Sequence, residues 1–161
     1  MNMLKIFTTG GTFDKVYFDA KSDYRIGEPY IDKILEEGNV NIKYDVESIL
    51  KKDSLDITDE DRKKVFVKVK NCPEKHIMLI HGTDTMVETA IMLSEIKEKT
   101  IVLTGAMQPA RFRFTDAIFN VGFAIAAALE LADGVYIAMN GQVFPHDSVR
   151  KNTKQGCFEK I

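Results

Sequence analysis

Long hydrophobic runs are missing from this sequence. None approaches the ~18 consecutive apolar residues that a membrane-spanning helix needs. The short apolar opening around Leu4, Ile6 and Phe7 stops at two glycines, too early for a secretory leader. An excess of one charge is missing too: the net charge is −2 and the pI about 5.9, so neither nucleic acid nor an anionic membrane is expected as a partner. Cysteine is scarce. Cys72 and Cys157 have no metal-ligand spacing and make no disulfide framework, which points to a reduced, cytoplasmic compartment and to structural thiols. The early glycines lack the lysine and hydroxyl of a P-loop and the spacing of a dinucleotide fingerprint, so no phosphate-bearing cofactor is implied. His81 and His146, with Asp84 or Asp147, match no zinc pattern, and no metal is expected.

What remains is a chain of 161 residues, 45% hydrophobic and 29% charged, which reads as one globular domain burying about 70% of its unfolded surface. β-rich runs at 4–8, 41–48, 77–80, 101–104 and 135–139 alternate with helical patterns at 29–37, 59–70, 84–97 and 116–131. Gly38 stands where a helix-ending C′ glycine belongs. Such alternation implies an α/β fold with a parallel sheet, and unbroken apolar runs such as IMLI (77–80) fit strands covered on both faces. Ligands of open α/β sheets bind beyond the carboxyl ends of the strands. The segments at that edge, TTGGTFDK (8–15), SILKKDSLD (48–56), HGTDT (81–85), TGAMQP (104–109) and MNGQVFPHDS (139–148), concentrate threonine, serine, aspartate, glycine and histidine. The helix over 116–131, DAIFNVGFAIAAALEL, is apolar on nearly every face, which implies burial all round or contact with another subunit.

Two readings compete at each motif. Gly10 and Gly11 could simply permit a tight turn, yet Thr12 follows them with backbone N–H groups at hand, as a hydroxyl nucleophile with an oxyanion hole requires. Such a hydroxyl needs a base. Asp84 in HGTDT could serve a ligand or cap the next helix, and local chemistry favours the cap. Lys151, taken alone, reads as a solvated surface lysine.

Taken together, TTGGTFD (8–14), KSDYRIG (21–27), HGTDTMVETA (81–90) and LTGAMQPARF…DAIFN (103–120) resemble the asparaginase/glutaminase family of bacterial-type amidohydrolases with a threonine nucleophile. The resemblance implies a flavodoxin-like domain, a mostly parallel sheet with helices on both faces, and a site at the edge named above. It makes Thr12 the nucleophile and Tyr24 the tyrosine of a loop that closes over substrate. Thr83, Asp84 and a lysine become a proton-relaying triad, with Asp84 also meeting the substrate's α-amino group. Ser54 is matched to the serine that binds the α-carboxylate, and Gly11 to the first-turn backbone that, with Thr83, holds the oxyanion. Ala106 is matched to a carbonyl that receives the side-chain amide. For the lysine a one-residue shift decides between Arg150 and Lys151. Chemistry favours Lys151, because an arginine stays charged, leaving Arg150 as a substrate-carboxylate contact.

The expected activity is hydrolysis of L-asparagine, or a related ω-amide such as glutamine, to the acid and ammonia through a threonine acyl-enzyme. No cofactor is needed, and a homo-oligomer, dimer or tetramer, is expected. Two departures qualify the resemblance. Long family members carry a second, C-terminal domain for which these 161 residues have no room, so 1–161 is expected to be a single domain like the family's N-terminal one. Leu55 stands where many members have a glutamine or serine that helps bind substrate. Both lead to an expectation of weaker or shifted recognition of the amino-acid end. The alternative function is a non-catalytic amino-acid-binding protein that has lost turnover.

Overall fold

The computed structural model describes residues 3–161. Its centre is a six-stranded sheet formed by β1 (Leu4–Gly10), β4 (Tyr44–Lys52), β5 (His76–Ile80), β6 (Thr100–Thr104), β7 (Gly134–Met139) and β8 (Gln142–Pro145), in the order β4-β1-β5-β6-β7-β8. The first five are parallel, and β8 returns antiparallel to β7. After β1 the chain crosses to one side to make β4, then to the other to make β5. The chain therefore reverses its direction of growth at the β1–β5 boundary, where doubly wound sheets open a crevice beyond their strand ends.

The apolar runs divide between two faces by the two-residue period of a strand. Phe7, Ile77, Leu79, Ile101 and Leu103 face one core, covered by α2 (Asp59–Asn71) and α3 (Met86–Leu93). Leu4, Ile6, Met78, Ile80 and Val102 face the other, covered by α1 (Ile31–Glu37) and α4 (Ala117–Glu130). At about 25 cal/mol per Å² of apolar surface buried, each such side chain adds roughly 1.5–3 kcal/mol, so the strand ends are anchored from both sides. The α/β expectation is met, with helices on both faces.

Several local expectations are corrected. The second long strand spans Tyr44–Lys52 rather than 41–48, because Gly10 pairs with Lys52 and extends the ladder. Gly38 closes α1 with φ −75°, and Asn39, at φ 50°, takes the left-handed C′ place. Asn39 N–H then donates to Glu36 O and Val40 N–H to Leu35 O, the paired bonds of a Schellman ending. Two antiparallel hairpins lay outside the expected elements: β2 (Lys15–Phe18) with β3 (Asp23–Ile26), and β9 (Val149–Asn152) with β10 (Cys157–Lys160). Finally, α4 is not buried all round. Its Ala and Val face fills the core, while Ile118 and Phe119 are 56% and 62% exposed.

Candidate active site

Four turns meet at the strand ends, and they meet through bare backbone. A Cβ built on Gly11 would lie 2.6 Å from Gly82 Cα, and one built on Gly82 would lie 2.6 Å from Ser54 Cβ. A Cβ on Gly105 would collide with the His81 carbonyl. Glycine is required at these places because no side chain fits between the turns; Gly11, at φ 75°, also needs its freedom to adopt positive φ. Gly11 precedes a single 3₁₀ turn, Thr12–Asp14, that presents Thr12 half-buried at the β1–β5 crevice. Beside it, Ser54 opens another short turn, fixed by Asp53, whose carboxylate accepts the N–H of Leu55.

The turn after β5 carries Thr83 and Asp84. Asp84 does not cap α3: the N-cap is Thr85, which forms no side-chain cap bond, and α3 begins at Met86 rather than at 84. The Asp84 carboxylate instead accepts from Lys151 Nζ at 2.7 Å, and the same ammonium donates to Thr83 Oγ1 at 2.7 Å. Ser54 locks this turn from the side. Its Oγ accepts the Asp84 N–H at 3.1 Å, and its carbonyl accepts the Thr85 hydroxyl at 2.8 Å. Lys151 arrives from the β9–β10 hairpin, where alternation sends adjacent side chains to opposite faces. Val149 and Lys151 turn inward, while Arg150 turns outward and pairs with Glu159 at 2.8 Å. Arg150 therefore faces away from the Thr83–Lys151–Asp84 group.

Other expected residues are placed as follows. The Gly11 N–H is already donated to Lys52 O at 2.9 Å and is not free to hold an oxyanion. Among the described residues neither Thr12 N–H nor Thr83 N–H meets an acceptor, so these two amides are among the donors the turns at the crevice leave free. Ala106 is buried in the loop after β6. Leu55 projects outward, 72% exposed. Tyr24 lies on the β2–β3 hairpin, half-exposed, with its ring against Tyr17 (centroids 5.4 Å apart) and Phe112 (5.9 Å). Among the described residues no hydrogen bond joins it to Thr12 or to the lysine group. A cleft of about 510 Å³, lined by Tyr24, Arg25, Lys52 and Asp53 among others, separates this hairpin from the end of β4. No cluster of three or more His, Cys, Asp or Glu among the described residues could hold a metal ion.

Three supporting residues had escaped notice. Asp116 accepts the N–H groups of Met107 and Gln108 and the amide of Asn120, which also donates to Gly105 O, so α4 braces the loop after β6. The i, i+4 spacing of Asp116 and Asn120 on one helix face was the available signal. Asp14 is buried at the root of the β2–β3 hairpin, with one carboxylate oxygen accepting Tyr30 N–H and the other without a partner. Burial pushes its carboxyl up to about 6, against the opposing Tyr30 hydrogen bond and the charge of Arg111. Nothing in its neighbourhood in the sequence announces this.

The family description "Asparaginase, N-terminal" matches residues 3–159. Over 163 residues the chain is 35% identical to a protein of Haemophilus influenzae described as a probable periplasmic L-asparaginase, covering 93% of this chain and 46% of the relative. Among solved structures it is similar to the thermostable L-asparaginase from Thermococcus kodakarensis, with a TM-score of 0.86, 26% identity, and coverage of 99% of this chain and 51% of the other. It is also similar to a probable cytoplasmic L-asparaginase from Campylobacter jejuni, with a TM-score of 0.82, 25% identity, and coverage of 99% and 52%. The chain thus spans about half the length of these relatives. With that family description matching nearly the whole chain, and the fold shared with solved members, the chain belongs to the asparaginase family.

Proposed function

We propose that this chain is a catalytic domain that hydrolyses the side-chain amide of L-asparagine, or of a close ω-amide such as L-glutamine, to the acid and ammonia. The observation that carries the reading is Lys151 Nζ held 2.7 Å from both Thr83 Oγ1 and Asp84 Oδ1 at the crevice that also presents Thr12. A lysine would not be drawn into such a pair by surface solvation. It supports a relay in which Asp84 orients Lys151 and Lys151 exchanges a proton with Thr83.

In the proposed reaction the Thr12 hydroxyl attacks the amide carbon, and its proton passes to the departing ammonia. The Thr12 and Thr83 N–H groups stabilise the oxyanion. Water, activated by Thr83 and Lys151, then cleaves the ester. Assisted proton transfers contribute roughly 10²–10⁴-fold each, and an oxyanion donor about 10²–10³-fold. Ser54 and Asp84 bind the carboxylate and amine of the substrate, Ala106 O meets its amide, and Tyr24 closes over it from the hairpin. Exposed Leu55 offers no polar contact at the amino-acid end, which favours a relaxed choice of amide and leaves binding without turnover as the second reading.

The partners proposed are a small amino-acid amide and further copies of this chain, with the exposed Ile118 and Phe119 of α4 as the contact. No helix is long and apolar enough to cross a membrane among the described residues. Two free cysteines favour a cytoplasmic location. The test is ammonia release from L-asparagine and L-glutamine by the wild type and by Thr12→Ala. Turnover that disappears in the variant supports the amidohydrolase. Full activity in Thr12→Ala overturns the nucleophile, and tight asparagine binding without ammonia supports the binding protein.

A further inference from the structure

His81 has no part in the chemistry proposed above, although it is fully buried beside Thr83. Both ring nitrogens are engaged: Nδ1 lies 2.7 Å from Gly82 O, and Nε2 lies 2.8 Å from Thr89 Oγ1. Thr89 Oγ1 in turn accepts from Arg62 Nε at 3.2 Å. The direction of this chain is set at its carbonyl end. Arginine can only donate and a carbonyl can only accept. Nδ1 must therefore carry the ring proton that goes to Gly82 O, the Nε2 of the neutral ring accepts, and the Thr89 hydroxyl, which also lies 3.4 Å from Thr85 O, gives its hydrogen to Nε2. Burial, reinforced by the charge of Arg62, pushes the imidazole down to about 4, against the pull of the Gly82 carbonyl, so it is neutral at working pH.

Gly82 is where this matters. It is the residue against which Gly11 and Ser54 close, it has no side chain to resist rotation, and its peptide with Thr83 could turn over. A trans peptide is planar, with C=O and N–H pointing oppositely. Whatever fixes Gly82 O therefore fixes the Thr83 N–H, which among the described residues meets no acceptor. We propose that His81 is a positioning residue, the inner end of an Arg62–Thr89–His81 chain that locks the Gly82–Thr83 peptide with the Thr83 N–H turned into the site. The proposal rests on the amidohydrolase reading for its catalytic meaning, while its geometry stands without it.

Two isosteres separate the functions of the ring. Asparagine places an amide where Nδ1 sits and keeps the donor to Gly82 O; glutamine reaches Nε2 and keeps only the Thr89 contact. His81→Gln is expected to lower kcat on L-asparagine roughly 10²-fold, the size of one lost oxyanion donor, with KM within about 3-fold of wild type. His81→Asn is expected to recover most of that loss, a difference that a purely structural role would not produce. Equal losses in the two variants, or an unchanged kcat in His81→Gln, overturn the proposal. Two NMR measurements decide it independently of turnover. The wild-type imidazole ¹⁵N spectrum must show the Nδ1–H tautomer, and an Nε2–H tautomer overturns the assignment. The Thr83 amide signal should stay in place in Thr89→Ser and move in Thr89→Val; an unmoved signal in the valine variant also overturns it. A wild-type chain that releases no ammonia defeats the amidohydrolase reading, while the tautomer and the Thr83 amide still judge His81.

Discussion

The glycine-lined crevice and the β2–β3 hairpin stand side by side but are built by opposite means. At the crevice Gly11, Gly82 and Ser54 touch backbone to backbone, above strands whose apolar residues are buried on both faces. The hairpin is a single antiparallel pair, with Tyr17 and Tyr24 half-exposed and Asp23 to Arg25 open to solvent. It is tied down at its root by Asp14, by Gly27 N–H donating to Asp14 O, and by a 3.3 Å pair between Lys15 and Asp53. Groups that must keep a fixed distance from one another sit on the first region, and the tyrosine proposed to close over substrate sits on the second. Close packing and exposure are thus divided between the sheet edge and an attachment to it.

Breaking the close-packed side should cost most. Lys151→Met removes both 2.7 Å bonds and is expected to lower kcat roughly 10³–10⁴-fold with little change in stability, read by ammonia release and thermal unfolding. Retention of more than a tenth of wild-type activity would remove Lys151 from the relay. Gly82→Ala should follow: its Cβ would lie 2.6 Å from Ser54 Cβ and 3.0 Å from the Ser54 backbone nitrogen. A cost of about 1–3 kcal/mol and a Tm lower by several degrees are expected. An unchanged Tm would show that the turns can part.

The exposed side should answer to pH and to packing. The Asp14 carboxyl is raised from 3.8 to about 6, so the folded state binds its proton more tightly than the unfolded chain. Its contribution is therefore intact below about pH 4 and is lost as pH rises through 6, a span of roughly 2–3 kcal/mol. Asp14→Asn should remove that fall, so that the wild-type and variant stability curves diverge between pH 4 and 6; parallel curves would refute the assignment. Phe112→Ala deletes the ring against Tyr24 and should cost about 0.5–1.5 kcal/mol of hairpin docking. The sign of that change is faster amide exchange confined to β2 and β3, and uniform exchange would mean that the contact holds nothing.

The same division governs what could be read from the sequence. The parallel strands were legible because burial on both faces leaves unbroken apolar runs such as IMLI, and their polar carboxyl ends marked the edge. The hairpins were not, because Lys15–Ile26 and Val149–Lys160 have mixed polarity and form two-stranded sheets of their own, with no doubly buried face to leave an apolar run. Asp84 reads locally as a helix cap. Only a lysine 67 residues away, invisible to any local rule, gives its carboxylate a different partner. Between Arg150 and Lys151 side-chain chemistry alone favoured Lys151, and only the phase of β9 shows which of them faces the turn, since the two faces of a strand exchange on a one-residue slip. Of the two readings offered for α4, burial all round fails, because its small-residue face fills the core while Ile118 and Phe119 look outward.

The β9–β10 hairpin has a consequence for the order in which the molecule is completed. All five parallel strands end by Met139, so the sheet and its crevice can assemble before Val149–Lys160 has been synthesised. Lys151 must then close a contact across 67 residues, a long loop whose entropy is recovered only on docking. Docking of Lys151 should therefore lag behind far-UV secondary structure on refolding, and a nascent chain would carry Thr83 and Asp84 before the β9–β10 hairpin brings the third member of the proposed relay.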